Sequence, residues 1–191
     1  MRIGIDMDGV IANLTPKMIE YHNLTYNLKH NTSGYTNYNL TEVWNCSLEE
    51  MIKRIHDFYR SDLFKTIKPV KHSQTGIGRL SKKHELILIT SRPYFIEQLS
   101  ITWLDKYFPK HFKKIVHTNQ ITHQHEKRKK KSEICKEEKV DLMIDDALEY
   151  AIDCATAGVD VFLFDALWNQ QENTHQKIKR VFGWKGINKH L

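Results

Sequence analysis

Residues 140–164 read VDLMIDDALEYAIDCATAGVDVFLF, and this stretch decides the fold. Two apolar runs, Val140 to Asp145 and Val159 to Phe164, have the length and composition of buried strands. Between them, Ala147 to Ala157 reads as a helix, and Gly158 follows it as the residue best suited to a left-handed C-terminal cap. Strand, helix, strand in that order is a crossover unit, and crossovers of this kind join parallel strands with a right-handed turn.

The same rhythm runs back towards the N-terminus. ELILIT (Glu85 to Thr90) and KIVHT (Lys114 to Thr118) read as further strands, with helices expected over Gln74 to Lys82, Tyr94 to Tyr107 and Ser132 to Glu138. Arg2 to Asp6 supplies a first strand ending at the turn MDG. The expectation is an α/β fold, a Rossmann-type parallel sheet of about five strands closed by Phe164. The interval 12–68 breaks the rhythm. Thr15 to Tyr26 reads as a helix with Pro16 tolerated in its first turn, and His30 to Asn45 as loop with short turns. Ser47 caps a helix over Leu48 to Tyr59, with Glu50 completing a capping box. This interval is therefore read as a small helical cap inserted after the first strand, leaving residues 1–11 and 69–191 as the α/β core. Ligands of open parallel sheets bind beyond the carboxyl ends of the strands, so an insertion at that edge overhangs the crevice.

Composition narrows the function classes. With 191 residues, 40% hydrophobic and 27% charged, the chain supports one core and excludes wholesale disorder. No apolar run approaches the roughly 20 residues that span a bilayer, so no membrane partner is expected. Cys46, Cys135 and Cys154 are too scattered for a disulfide framework or a zinc site. MRIGID leads into strand-like sequence without an apolar leader, which fits a cytoplasmic setting. The formal charge of +6 suits either anionic small substrates or nucleic acid. Much of the excess lies in EKRKKK, Glu126 to Lys131, most of which reads as a solvated loop, so nucleic acid is the less favoured partner.

Polar residues gather at the carboxyl ends of separate strands: Asp6 and Asp8, then Thr90, Ser91 and Arg92, then Lys131 opening a helix, then Asp145 and Asp146. Carboxylates sharing one crevice repel one another unless a cation compensates them, and hard oxygen ligands suit Mg²⁺. Asp6 is placed to attack a phosphoryl group, and Asp8 to move a proton to and from the leaving oxygen. Thr90 and nearby main-chain N–H groups can bind phosphoryl oxygens while Lys131 offsets their charge; Lys127, Lys129 and Lys130 are alternatives within the same run. Arg92 either touches substrate or caps the helix after Pro93.

These residues resemble the four motifs of the haloacid-dehalogenase-like phosphohydrolases: DMDGV, ILIT followed by Ser, Lys131, and MIDD. GIDMDGVIANL, LILITSRP, KSEICKEEKVDLMIDD and LFDALWNQ are similar to the 5′-nucleotidase branch, which includes deoxyribonucleotidases. The resemblance implies Asp6 as nucleophile, Asp8 as acid and base, and Thr90, Ser91 and Lys131 at the phosphate. It implies Mg²⁺ held by Asp6, the main-chain carbonyl of Asp8 and Asp146, with Asp145 in support, the adjacency of the two acids leaving their division open. The implied partner is a small phosphorylated substrate, a nucleotide. His117, His123 and His125 read as solvated histidines, and Phe162, Phe164 and Trp168 as packing. Of Tyr35, Tyr38, Trp44, Phe58 and Phe64, one or two are expected at the substrate, since a small cap needs its aromatics for its own core.

Overall fold

In the computed structural model, which describes residues 1–123, 126–172 and 175–191, strands and helices alternate after a helical interval. The chain runs β1 (Arg2–Ile5), α1 (Leu14–Tyr26), α2 (Leu40–Trp44), α3 (Leu48–Arg60), α4 (Asp62–Lys65) and α5 (Ser73–Leu80). It continues β2 (Glu85–Thr90), α6 (Glu97–Tyr107), β3 (Lys114–His117), α7 (Lys131–Glu137), β4 (Leu142–Asp145) and α8 (Leu148–Thr156). It ends with β5 (Asp160–Phe164), β6 (Ile178–Val181) and α9 (Gly183–Ile187). The strands form one sheet in the order β3-β2-β1-β4-β5-β6, all neighbours parallel. Sequence order reverses between β1 and β4, so the crevice of the fold opens beyond their carboxyl ends.

The central position of β1 explains its composition. Ile3 and Ile5 are fully buried on one face, and Gly4 lies between Ile87 of β2 and Met143 of β4. One apolar cluster runs from Ile3 and Ile5 through Ile11, Leu14 and Met18 to Ile55, Phe58 and Phe64, so the helices after β1 share a core with that face. The opposite face packs Ile87, Ile89 and Met143 against Ala151 and Cys154 of α8.

Three expectations change. The sheet does not stop at Phe164: β6 pairs with β5, Ile178 opposite Val161 and Val181 opposite Phe164. It is an edge strand with an exposed Lys179, so only two of its residues carry an apolar signal. The Ser47 cap forms, its side chain accepting from Glu50 N at 3.1 Å, but the Glu50 carboxylate is taken by Arg54 Nε at 2.8 Å. An i,i+4 ion pair thus replaces the reciprocal half of the capping box. The region His30 to Asn45 contains a true helix, α2, capped by Asn39, whose side chain accepts from Thr41 N.

The helical interval leaves and re-enters the sheet layer at one point. Asn13 N donates to Lys68 O at 2.9 Å, and Val70 N donates to Ile11 O at 2.8 Å. Among the described residues, no helix is long and apolar enough to cross a membrane.

Candidate active site

β1 ends at Ile5, and Asp6 is still tied to the neighbouring strand, its N–H donating to Ile144 O at 2.9 Å. The chain then turns tightly, Ile11 N and Ala12 N both donating to Met7 O. Gly9 takes φ +83° in this turn, and a Cβ there would lie 1.9 Å from Asp146 Oδ2. Glycine is therefore required twice over, by the backbone and by the approach of Asp146. The sequence marks the turn but not this second reason.

Lys131 is the first residue of α7 and is 1% exposed. Its Nζ lies 2.8 Å from Asp6 Oδ1 and donates to Asp145 Oδ2 at 2.7 Å. The alternatives in the same run point elsewhere: Lys129 pairs with Glu137 at 3.0 Å, Lys130 lies 3.7 Å from Asp153, and Lys127 is exposed. The second oxygen of Asp145 accepts from Ala147 N at 3.0 Å. The main-chain carbonyl of Asp146 accepts from Asn169 Nδ2 at 2.8 Å, and the same amide donates to Phe164 O. Asn169 thereby ties the fourth strand end to the fifth. Its LWNQ context is visible in the sequence, but its partners are not.

Asp6, Asp8, Thr90, Ser91 and Asp146 line one cavity of about 460 Å³. Thr90 and Ser91 are buried, and the Thr90 hydroxyl accepts from Arg92 N at 3.3 Å. Arg92 does not cap the helix after Pro93 and is not among the residues that line the cavity. Its guanidinium grips Asp8, Nε donating to Oδ2 at 2.8 Å and Nη2 to Oδ1 at 2.7 Å.

The remaining aromatic and histidine expectations divide. Tyr35 and Tyr38 line the cavity, whereas Trp44, Phe58 and Phe64 belong to the apolar core, with Trp44 Nε1 donating to Tyr35 Oη at 2.8 Å. Tyr59, not singled out by the sequence, also lines it. Trp168 is not simple packing, since it faces the cavity with Nε1 buried and unbonded to protein. His117 is buried rather than solvated, because at the end of β3 it pairs with Thr90 of β2 and its Nδ1 lies 3.2 Å from Arg92 O. His123 packs its ring 5.9 Å from that of His56, and His125 lies outside the described residues.

Burial dominates the electrostatics. It pushes the Asp6 carboxyl up to about 7, with Asp145 and Asp8 adding to the rise and Lys131 opposing it. Burial, then Asp6 and Asp145, holds Asp146 well above the ordinary carboxylate range. Burial alone would lower Lys131, but Asp145 and Asp6 keep it raised and charged. Carboxylate oxygens of Asp6, Asp145 and Asp146 lie within 4.8 Å of one another. Such a set of hard oxygens, short of positive charge, fits a divalent cation such as Mg²⁺.

Solved structures share this architecture. The haloacid dehalogenase-like family protein SP0104 of Streptococcus pneumoniae superposes with a TM-score of 0.68 at 12% identity, over 88% of this chain and 87% of that one. YfnB of Bacillus subtilis, solved bound to magnesium, gives 0.67 at 12% identity over 99% and 97%. In sequence, the 5′(3′)-deoxyribonucleotidase of Bacillus subtilis (strain 168) is 28% identical over 203 residues, spanning 99% of this chain and 97% of its own. Fold and site define a phosphoric monoester hydrolase of the haloacid-dehalogenase-like superfamily, in its nucleotidase branch. The chain belongs to the family described as 5′ nucleotidase, deoxy (Pyrimidine), cytosolic type C protein, whose model matches residues 1–191.

Proposed function

We propose that the protein is a magnesium-dependent 5′-nucleotidase that releases inorganic phosphate from nucleoside or deoxynucleoside monophosphates through an aspartyl-phosphate on Asp6. The observation that carries this reading is the buried contact of Lys131 Nζ with Asp6 at 2.8 Å, on the wall that also holds Asp8 and Thr90. A carboxylate so placed faces incoming phosphate beside a fixed positive charge.

An Asp6 oxygen attacks phosphorus, the bond to the nucleoside oxygen breaks, and Asp8 gives that oxygen its proton. Water then attacks the phosphorus, Asp8 takes its proton, and the bond to Asp6 breaks to return a carboxylate and inorganic phosphate. Lys131, Thr90 and Ser91 bind the phosphoryl oxygens through both steps. Mg²⁺ would be held by Asp6, Asp146 and the main-chain carbonyl of Asp8, with Asp145 in support, and when bound it neutralises charge on the phosphoryl group.

The substrate class rests on two supports. The 28% identical relative is a 5′(3′)-deoxyribonucleotidase. The cavity, at about 460 Å³, falls within the roughly 300–1,000 Å³ typical of small-molecule sites and offers Tyr35 or Tyr38 to a base. In this reading residues 12–68 act as the cap over a core of residues 1–11 and 69–191. The setting is cytoplasmic, which the free thiols of Cys46, Cys135 and Cys154 favour.

The test is phosphate release from nucleoside monophosphates, sugar phosphates and end-phosphorylated oligonucleotides in Mg²⁺. The nucleotides are expected to give the highest kcat/KM. Strong preference for a sugar phosphate or an oligonucleotide end would replace the substrate while keeping the chemistry.

A further inference from the structure

Arg92 and Lys131 are the two buried Lys/Arg cations among the described residues, and the chemistry above uses only Lys131. Arg92 is fixed on every side. Its Nη1 donates to Ser100 Oγ of α6 at 3.0 Å, and that hydroxyl donates to Ile96 O at 3.1 Å. Its guanidinium lies 4.9 Å over the ring of Phe64 in α4. The remaining edge of the fork takes both oxygens of Asp8, at 2.8 and 2.7 Å.

Two parallel bonds from a planar donor fix the plane of a carboxylate, which one bond from an ammonium cannot do. The Arg92 side chain is 2% exposed and that of Asp8 24%, so the pair is open only on the Asp8 side. Asp8 lines the cavity, and each of its oxygens keeps a lone pair beyond the bond to Arg92. An acid and base held this way meets substrate and water from one fixed direction. The anchor also reaches the helical segment through Phe64.

We propose that Arg92 is a positioning residue for Asp8, holding its carboxylate towards the cavity and bracing it against α6 and the Phe64 ring. This rests on the acid and base reading of Asp8, and the experiment separates the two. Arg92→Met, Arg92→Lys, Asp8→Asn and the double variant Arg92→Met/Asp8→Asn are assayed with p-nitrophenyl phosphate in Mg²⁺. p-Nitrophenolate departs without a proton, so attack by Asp6 survives displacement of Asp8, while hydrolysis of the aspartyl-phosphate does not.

Arg92→Met is expected to release about one p-nitrophenol per chain in a rapid burst, then turn over about 10²-fold more slowly than wild type. Arg92→Lys is expected to fall between them. Adding Arg92→Met to Asp8→Asn should change turnover by less than about threefold, because no carboxylate is left to position. Wild-type turnover in Arg92→Met, slow turnover without a burst, or a full multiplicative loss in the double variant would each overturn the inference. If Arg92→Met does not fold, Arg92→Lys decides alone: a burst with slowed turnover supports the role and wild-type turnover removes it. If Asp8→Asn itself turns over like wild type, the acid and base reading fails and takes this inference with it.

Discussion

On the sheet side of the cavity, Asp6 and Asp8 are each held by a cation at 2.7–2.8 Å, the fully buried Asp145 sharing the cation of Asp6; on the helical side, the wall is largely apolar, with Leu14, Met18, Ile52 and Ile55 beside Tyr38 and Asn39. The first wall is built from strand ends, where a side chain's position follows from its place in the sheet. The second depends on how α1 and α3 pack, which no local pattern specifies. Chemistry therefore concentrates in a few residues whose removal is costly, while selectivity is spread over many whose changes are mild. If that division is right, substitutions should separate cleanly into two groups.

Asp6→Asn should have the largest effect. It keeps the shape of the side chain and removes the proposed nucleophile, so kcat for a nucleoside monophosphate should fall by about 10⁴-fold or more, as for other nucleophile deletions. Phosphate release measures it, and a loss of less than tenfold would sink the covalent mechanism. Lys131→Met should follow, with an effect on folding as well as rate. It leaves Asp6 and Asp145 buried without their common cation, a loss expected to cost about 3–5 kcal/mol by urea unfolding. A change below about 1 kcal/mol would mean that the electrostatic wall is far less dependent on its cation than the geometry implies.

The same division explains what was legible in the sequence. Asp6, Thr90, Lys131 and Asp146 could be placed because each sits at a strand or helix terminus that periodicity locates. Lys131 is favoured over its neighbours by its place just before SEICKEE, and the structure gives the physical reason: the first turn of α7 aims it alone between Asp6 and Asp145, at the ends of β1 and β4. Arg92 was visible as a residue but not as a partner of Asp8, from which 84 positions separate it. Trp168 and Tyr59 were missed as cavity residues because an aromatic facing a pocket has the same local sequence as one facing a core. β6 was missed for a related reason: four residues with a half-buried end carry too little alternation to register.

Between the two walls lies the dependence on pH. Burial raises the Asp6 carboxyl to about 7, and Asp146 is raised for the same cause. A carboxyl raised on folding stabilises the folded chain fully below its unfolded value near 3.8, and that contribution is lost as pH rises through about 7. A cation must displace the same proton. The Mg²⁺ dissociation constant should thus tighten by about tenfold per pH unit between pH 5 and 7 for one proton displaced, then level off. Calorimetric titration across this range checks it, and an affinity independent of pH would show that the acids are already ionised in the metal-free protein.

Ile52→Val probes the helical wall and should give the smallest effect. Ile52 is 4% exposed and lines the cavity, and the change removes one methylene without introducing polarity or charge. A contact of that size is worth about 1 kcal/mol, so KM for a nucleoside monophosphate should rise by about fivefold. Because an aliphatic group offers neither charge nor a hydrogen bond to the reacting atoms, it should bind ground state and transition state alike, leaving kcat within about twofold. p-Nitrophenyl phosphate, whose ring fills less of the cavity than a nucleoside, should show a smaller shift in KM. A fall in kcat with unchanged KM would mean that α3 presses the substrate towards Asp6, and the two walls would then act as one device rather than as chemistry and selectivity set side by side.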